Sequence, residues 1–133
     1  MFTGPEEDRL ALRELIDRYS DAVIRQDAAA WEATWAEDAV WGFRGGQVAG
    51  RDQILSTWLK AMAGFDSVWF MAAPGSIVVT GDSAELVTHT LEHLVASGAS
   101  PKLQSGLYRD QARRTAVGWC FTRRVFTPRE LSL

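Results

Sequence analysis

Ala84-Glu-Leu-Val-Thr-His89-Thr-Leu-Glu-His93-Leu-Val95 is the stretch on which the reading of this chain turns. It is read as one β-strand, in which successive side chains point to opposite faces. Val87, His89, Leu91, His93 and Val95 share one face, while Leu86, Thr88, Thr90, Glu92 and Leu94 share the other, more polar one. The first set is therefore expected to face the interior and to carry the His89 imidazole inward. An imidazole enclosed by valine and leucine is either a hydrogen-bonded core group or a proton handler, because its ordinary pKa of about 6.5 suits transfer near neutrality.

On the C-terminal side, Ser97-Gly98-Ala99-Ser100-Pro101 reads as a loop. Residues 103–114 and 118–126 read as two further strands joined by Thr115-Ala116-Val117, with Pro128 as a stop. On the N-terminal side Gly81-Asp82 reads as a tight turn. Before it, residues 68–72 and 77–80 form two short strands separated by Ala73-Pro74-Gly75. Farther out, residues 52–63 predict a helix with Ile54, Leu55, Trp58, Leu59 and Met62 on its buried stripe. Residues 39–43 predict a strand that turns at Arg44-Gly45-Gly46 and returns over residues 47–49. Residues 5–25 predict a long helix with Leu12, Leu15, Ile16, Tyr19 and Val23 along one stripe and Glu6, Glu7 and Asp8 at its positive end. Asp27 suits the N-cap of a short helix over residues 28–36, where Trp31 and Trp35 share a face.

This order predicts a single α+β domain over residues 1–133, with a curved antiparallel sheet wrapped around helices to form a cone with an interior pocket. Such a pocket suits a small apolar ligand. Composition narrows the function classes. Apolar residues make up 47% and the formal net charge is −3, which argues against nucleic acid or an anionic membrane as partner. Six tryptophans in 133 residues supply enough rigid apolar area to line a cavity as well as fill a core. The single cysteine excludes an internal disulfide and a thiolate metal cluster. No run of about 18 apolar residues suggests a membrane span, and no signal peptide is recognisable, so a cytoplasmic setting is expected. His89 and His93 lie about 13 Å apart along a strand, too far to share a metal, and no dinucleotide or phosphate-loop fingerprint occurs. Neither a metal nor a cofactor is expected.

Several blocks carry a family resemblance. They are Tyr19…Asp27…Trp35-Ala-Glu-Asp-Ala-Val-Trp41, Gly50-Arg-Asp-Gln-Ile54, Ile77-Val-Val-Thr-Gly-Asp-Ser-Ala84, and Gly106-x-Tyr108-x-Asp110-x-x-x-Arg114 followed by Gly118-Trp119-x-Phe121-x-x-Arg124. Together the chain resembles the SnoaL-like proteins of the nuclear transport factor 2-like superfamily. The resemblance implies the cone fold and often a dimer or trimer, here expected as a homodimer. Its relatives include dehydratases, a dehydrochlorinase, ketosteroid isomerase, polyketide cyclases and dioxygenase β subunits. The resemblance implies a catalytic histidine where this chain has Phe70, and a partner aspartate near Ile24 or on Asp27. It also implies a second pocket histidine at His89, inward Tyr108, and a pocket arginine at Arg124 that a buried carboxylate at Asp110 or Glu92 would otherwise neutralise.

The functional expectation is a lyase, isomerase or cyclase that needs no cofactor and acts on a small apolar cyclic or polyketide-like molecule. His89 would move the proton, with Tyr19 or Tyr108 donating to an oxygen and Asp27 orienting the imidazole or acting as base. Trp41, Phe70, Met71, Tyr108 and Arg124 would bind substrate. The alternative is a non-catalytic ligand-binding or assembly subunit of the same fold. A His89 ring pointing to bulk water would end the enzymatic proposal, in which His89 is the proton carrier.

Overall fold

Helix α1 (Glu6–Arg25) forms where the sequence places an uninterrupted apolar stripe behind Pro5 and three acidic residues. Its buried face is Leu12, Leu15, Ile16, Tyr19, Ala22 and Val23. In the computed structural model, which describes residues 1–129, a bent sheet wraps this face. Seven strands make up the sheet: β1 (Phe2–Thr3), β2 (Trp35–Phe43), β3 (Gly46–Ala49), β4 (Ser67–Thr80), β5 (Ser83–Val95), β6 (Lys102–Thr115) and β7 (Gly118–Arg129). Their spatial order is β1-β4-β5-β6-β7-β2-β3. Two shorter helices, α2 (Ala28–Glu32) and α3 (Arg51–Met62), complete the helical side.

The run β4-β5-β6-β7 is antiparallel, as short connections require. The sheet as a whole is mixed, because β2 lies parallel to β7 and β1 parallel to β4. Helix α2 ends at Glu32, four residues short of the expected boundary. Trp35 and Ala36 instead open β2, where the Phe121 N–H donates to the Thr34 carbonyl. Tertiary pairing with β7 here outweighs local helix propensity. The two short strands expected over residues 68–80 are one strand, β4, with an irregularity between Pro74 and Ser76. Bulges bend a strand and raise its twist, which helps the sheet curl around α1. Pro128 does not end β7. It pairs opposite Gly106 at a part of β7 that has no partner on its β2 side, where a proline is tolerated. In α3 only Ile54 and Trp58 are buried, and Leu59 is exposed.

The decisive correction concerns β5. Ala84, Leu86, Thr88, Thr90 and Leu94 are buried, whereas His89, Leu91 and His93 are exposed. The strand is where the alternation placed it, but the opposite face looks inward. With a two-residue period, choosing the wrong face exchanges every side chain at once. The more polar face is inside because Thr88 on it hydrogen-bonds the carboxylate of the buried Asp110–Arg124 pair. The more apolar face is outside, beside exposed Trp69, Met71 and Leu103.

Candidate functional site

Strand register arranges the inner face in rows, read from the closed end to the mouth. Leu86, Asp110 and Arg124 stand side by side, and Arg124 is also paired with Trp41. Next come Thr88, Tyr108 and Phe126, then Ala72, Thr90 and Gly106. Phe70, Glu92 and Gln104 form the following row, and Val68, Leu94 and Lys102 the last.

At the closed end, Arg124 is fully buried. Its Nε donates to Asp110 Oδ1 at 2.7 Å and its Nη2 to Oδ2 at 3.2 Å. Thr88 donates its hydroxyl to the same carboxylate at 2.8 Å. The guanidinium carbon lies 3.9 Å from the Tyr108 ring centre, 4.2 Å from Phe121 and 4.4 Å from Tyr19. Burial works against the arginine's charge, but the Asp110 carboxylate and the surrounding phenols outweigh it and hold the guanidinium's pKa above its usual value. Arg124 is therefore neutralised within the protein, the structural role weighed against a ligand-binding one. Its Nη1 and the indole N–H groups of Trp31 and Trp35 have no partner within the protein.

Above this ion pair sits a cage of rings. Tyr19 packs against Trp31, Phe70 and Phe121 with ring centres 5.6, 5.6 and 5.9 Å away, and Trp31 stacks on Trp58 at 4.5 Å. Between this cage and the mouth lies a chamber of about 190 Å³. Its walls include Tyr19, Trp41, Trp58, Phe70, Glu92 and Tyr108. Trp41 donates its indole N–H to the Tyr108 phenol oxygen at 3.4 Å. Burial pushes both the Tyr19 and Tyr108 phenols above their usual pKa, so each remains a neutral O–H donor near pH 7.

Glu92 is the one charged side chain lining this chamber among the described residues. Its neighbours across the strands are Phe70 and Gln104. Burial among apolar groups pushes its carboxyl up to about 7. The structure thus puts a carboxyl with a pKa raised to about 7 and two phenols on the walls of one mostly apolar chamber, with Glu92 two rows nearer the mouth than Tyr108. That arrangement can take a proton from carbon while a phenol stabilises the oxygen on which charge develops.

The expected site residues divide cleanly. Tyr19, Trp41, Phe70 and Tyr108 line the chamber. Arg124 lies beneath it, stacked on two of its tyrosines. His89 does not reach it: the side chain is exposed on the outer sheet face, against Gly75 of the β4 bulge. Met71, expected as a wall, is 55% exposed on that same outer face. Asp27 accepts a 3.0 Å hydrogen bond from the Ala30 N–H and pairs with Arg25 at 3.0 Å. Those contacts hold its carboxyl below the usual value and leave it an N-cap, outside the chamber walls. Glu92 was missed as a chamber residue. The signal that could have found it was the polar face of β5, read as a site wall rather than as a solvent face.

A bent sheet packed around a long helix, with an aromatic chamber between them, defines a small cone-shaped α+β protein. The chain belongs to the SnoaL-like family, whose domain matches residues 6–125. Among solved structures, it is similar to a nuclear transport factor 2-like protein with a cystatin-like fold from Novosphingobium aromaticivorans. That pair shares 30% identity over 95% of this chain and 84% of the other, with a TM-score of 0.79. A candidate aromatic ring hydroxylase from the same organism is 25% identical over 97% and 94% of the two chains, with a TM-score of 0.87. A candidate scytalone dehydratase, also from that organism, is 17% identical over 93% and 85%, with a TM-score of 0.87. A comparison with curated protein sequences found no match. No helix among the described residues is long and apolar enough to cross a membrane.

Proposed function

We propose that the protein is an enzyme that moves a proton on a small cyclic carbonyl compound without a cofactor, in the manner of a lyase, isomerase or cyclase, with Glu92 as the acid/base group. The observation that carries this reading is a carboxyl held near 7 in a chamber of about 190 Å³ whose other polar groups include two phenols. The ionised Glu92 takes a proton from the carbon next to the carbonyl. The electron pair moves onto the carbonyl oxygen, where the Tyr108 or Tyr19 O–H donates to it. Glu92 then returns the proton to the same carbon, to another carbon, or to a departing group.

The test is deuterium exchange at the α-carbon of 1-indanone in D₂O, followed by NMR with and without the protein. Exchange should be accelerated, should rise with pH through about 7 as Glu92 ionises, and should vanish in Glu92→Gln. Exchange no faster than in buffer, or acceleration that survives Glu92→Gln, would refute the reading. The alternative of a non-catalytic ligand-binding cone is favoured by one observation: the imidazole expected in the chamber is outside it. Under that reading 1-indanone binds the wild type and Glu92→Gln equally and exchanges with neither.

The outer sheet face supports a second part of the proposal, a homodimer. Trp69 and Leu103 flank His93 in the strand register, and Met71 lies opposite Leu91. These four large apolar side chains are 41% to 55% exposed. They form one continuous patch on adjacent strands, which a second copy of the chain can cover by two-fold pairing.

A further inference from the structure

The interior chamber does not end at Gln104. A second hollow of about 390 Å³ shares Phe65, Leu94 and Gln104 with it and continues outward along Ala96, Ala99 and Lys102. Its far wall is the segment between β5 and β6, which is tied down where the Ser97 hydroxyl donates to Asp66 at 2.6 Å and the Asp66 N–H to the Val95 carbonyl at 2.7 Å. Each part carries one charged wall residue among the described residues: Glu92 inside and Lys102 outside.

From this we infer that the two hollows form one binding site for a ring-bearing carboxylate, taken ring first, with the carboxylate left at Lys102. The inference rests on the proposed proton-transfer role of the inner chamber and specifies which molecules reach it. The physical reasons are register, shape and charge. Gln104 stands opposite Glu92 and Lys102 opposite Leu94, so the two charged groups belong to successive rows of one face. Rows of one face lie about 7 Å apart, close to the length of a substituted benzene ring. The inner walls are aromatic and suit a flat ring. A carboxylate pushed inside would meet the ionised Glu92, whereas one left at the mouth meets a lysine. Lys102 also offsets the general bias of a chain with net charge −3 against anions. Orientation follows without any further contact, and it presents the ring end of the ligand to the inner chamber at Glu92.

The test uses two probes that differ only in charge, 3-phenylpropionate and 3-phenylpropionamide. Each is titrated into the full chain while tryptophan fluorescence is followed, because Trp41 and Trp58 line the chamber. The wild type should bind the acid roughly fivefold more tightly than the amide, as expected for one partly screened ion pair. Lys102→Gln should abolish that preference and leave amide affinity unchanged, and added salt should mimic the substitution. Equal affinity for the two probes, a preference that survives Lys102→Gln, or no saturable binding of either probe would overturn the inference. The two readings fail separately. A Lys102-dependent preference without indanone exchange sinks the catalytic reading and leaves this site standing. Glu92-dependent exchange without the preference does the reverse.

Discussion

Replacing Glu92 by glutamine should make the protein more stable, and only above the pH at which an ordinary glutamate ionises. The unfolded chain ionises this side chain near 4.5, whereas burial holds it protonated up to about 7 in the folded protein. Below pH 4.5 both states keep the proton, so Glu92 has no adverse effect there. Between 4.5 and 7 the unfolded state gives up its proton and the folded state does not, so stability falls as pH rises. Above 7 the full penalty is present, roughly 3 kcal/mol from the separation of the two pKa values. Glutamine keeps the shape and removes the charge. Glu92→Gln should therefore match the wild type near pH 4 and exceed it by roughly 3 kcal/mol at pH 8, on the order of 10 °C in Tm for a chain of this size. Urea unfolding followed by tryptophan fluorescence at both pH values measures the difference. A Glu92→Gln protein with the same advantage at both pH values, or none at pH 8, would show that Glu92 is an ordinary solvated carboxylate. The proton-transfer proposal would then lose its acid/base group.

Asp110→Asn should leave the Arg124 guanidinium buried among three rings without a counter-charge, and thermal unfolding should show a loss of about 3–5 kcal/mol. His89→Ala should change stability by less than about 0.5 kcal/mol and leave indanone exchange untouched; a large loss of exchange would return the imidazole to the site. A methyl group at position 106 would collide with the Phe126 ring and come within 2.8 Å of the Thr127 carbonyl oxygen. Gly106→Ala should accordingly destabilise by about 1–3 kcal/mol in urea and weaken 3-phenylpropionamide binding as the ring is displaced toward the chamber. Trp69→Glu combined with Leu91→Glu should convert a dimer to a monomer in sedimentation velocity, and a wild type already monomeric at micromolar concentration would refute the proposed interface.

Much of the architecture is a local property of the chain and could be read without coordinates. The apolar stripe from Leu12 to Val23 defines α1 and points Tyr19 inward, because a 3.6-residue repeat has one apolar side. The Asp27 cap, the Gly45 turn between β2 and β3, and the alternation that puts Gly106, Tyr108 and Asp110 on one face are equally local. So were four of the chamber's aromatic and phenolic walls. What the alternation of β5 could not settle was which face looks inward, since both of its faces mix apolar and polar residues. The answer comes from three other strands. Asp110 opposite Leu86 needs Arg124 beside it and Thr88 above it, and these partners exist only once β5, β6 and β7 are in register. That requirement turns His89 outward and Glu92 inward. A buried ion pair such as Asp110–Arg124 is stable only with both partners in place, and partners distant in the chain meet only in the folded sheet. The sequence alone therefore determined a cone with an aromatic interior, while tertiary pairing decided that the titratable group β5 turns into it is the Glu92 carboxyl rather than the His89 imidazole.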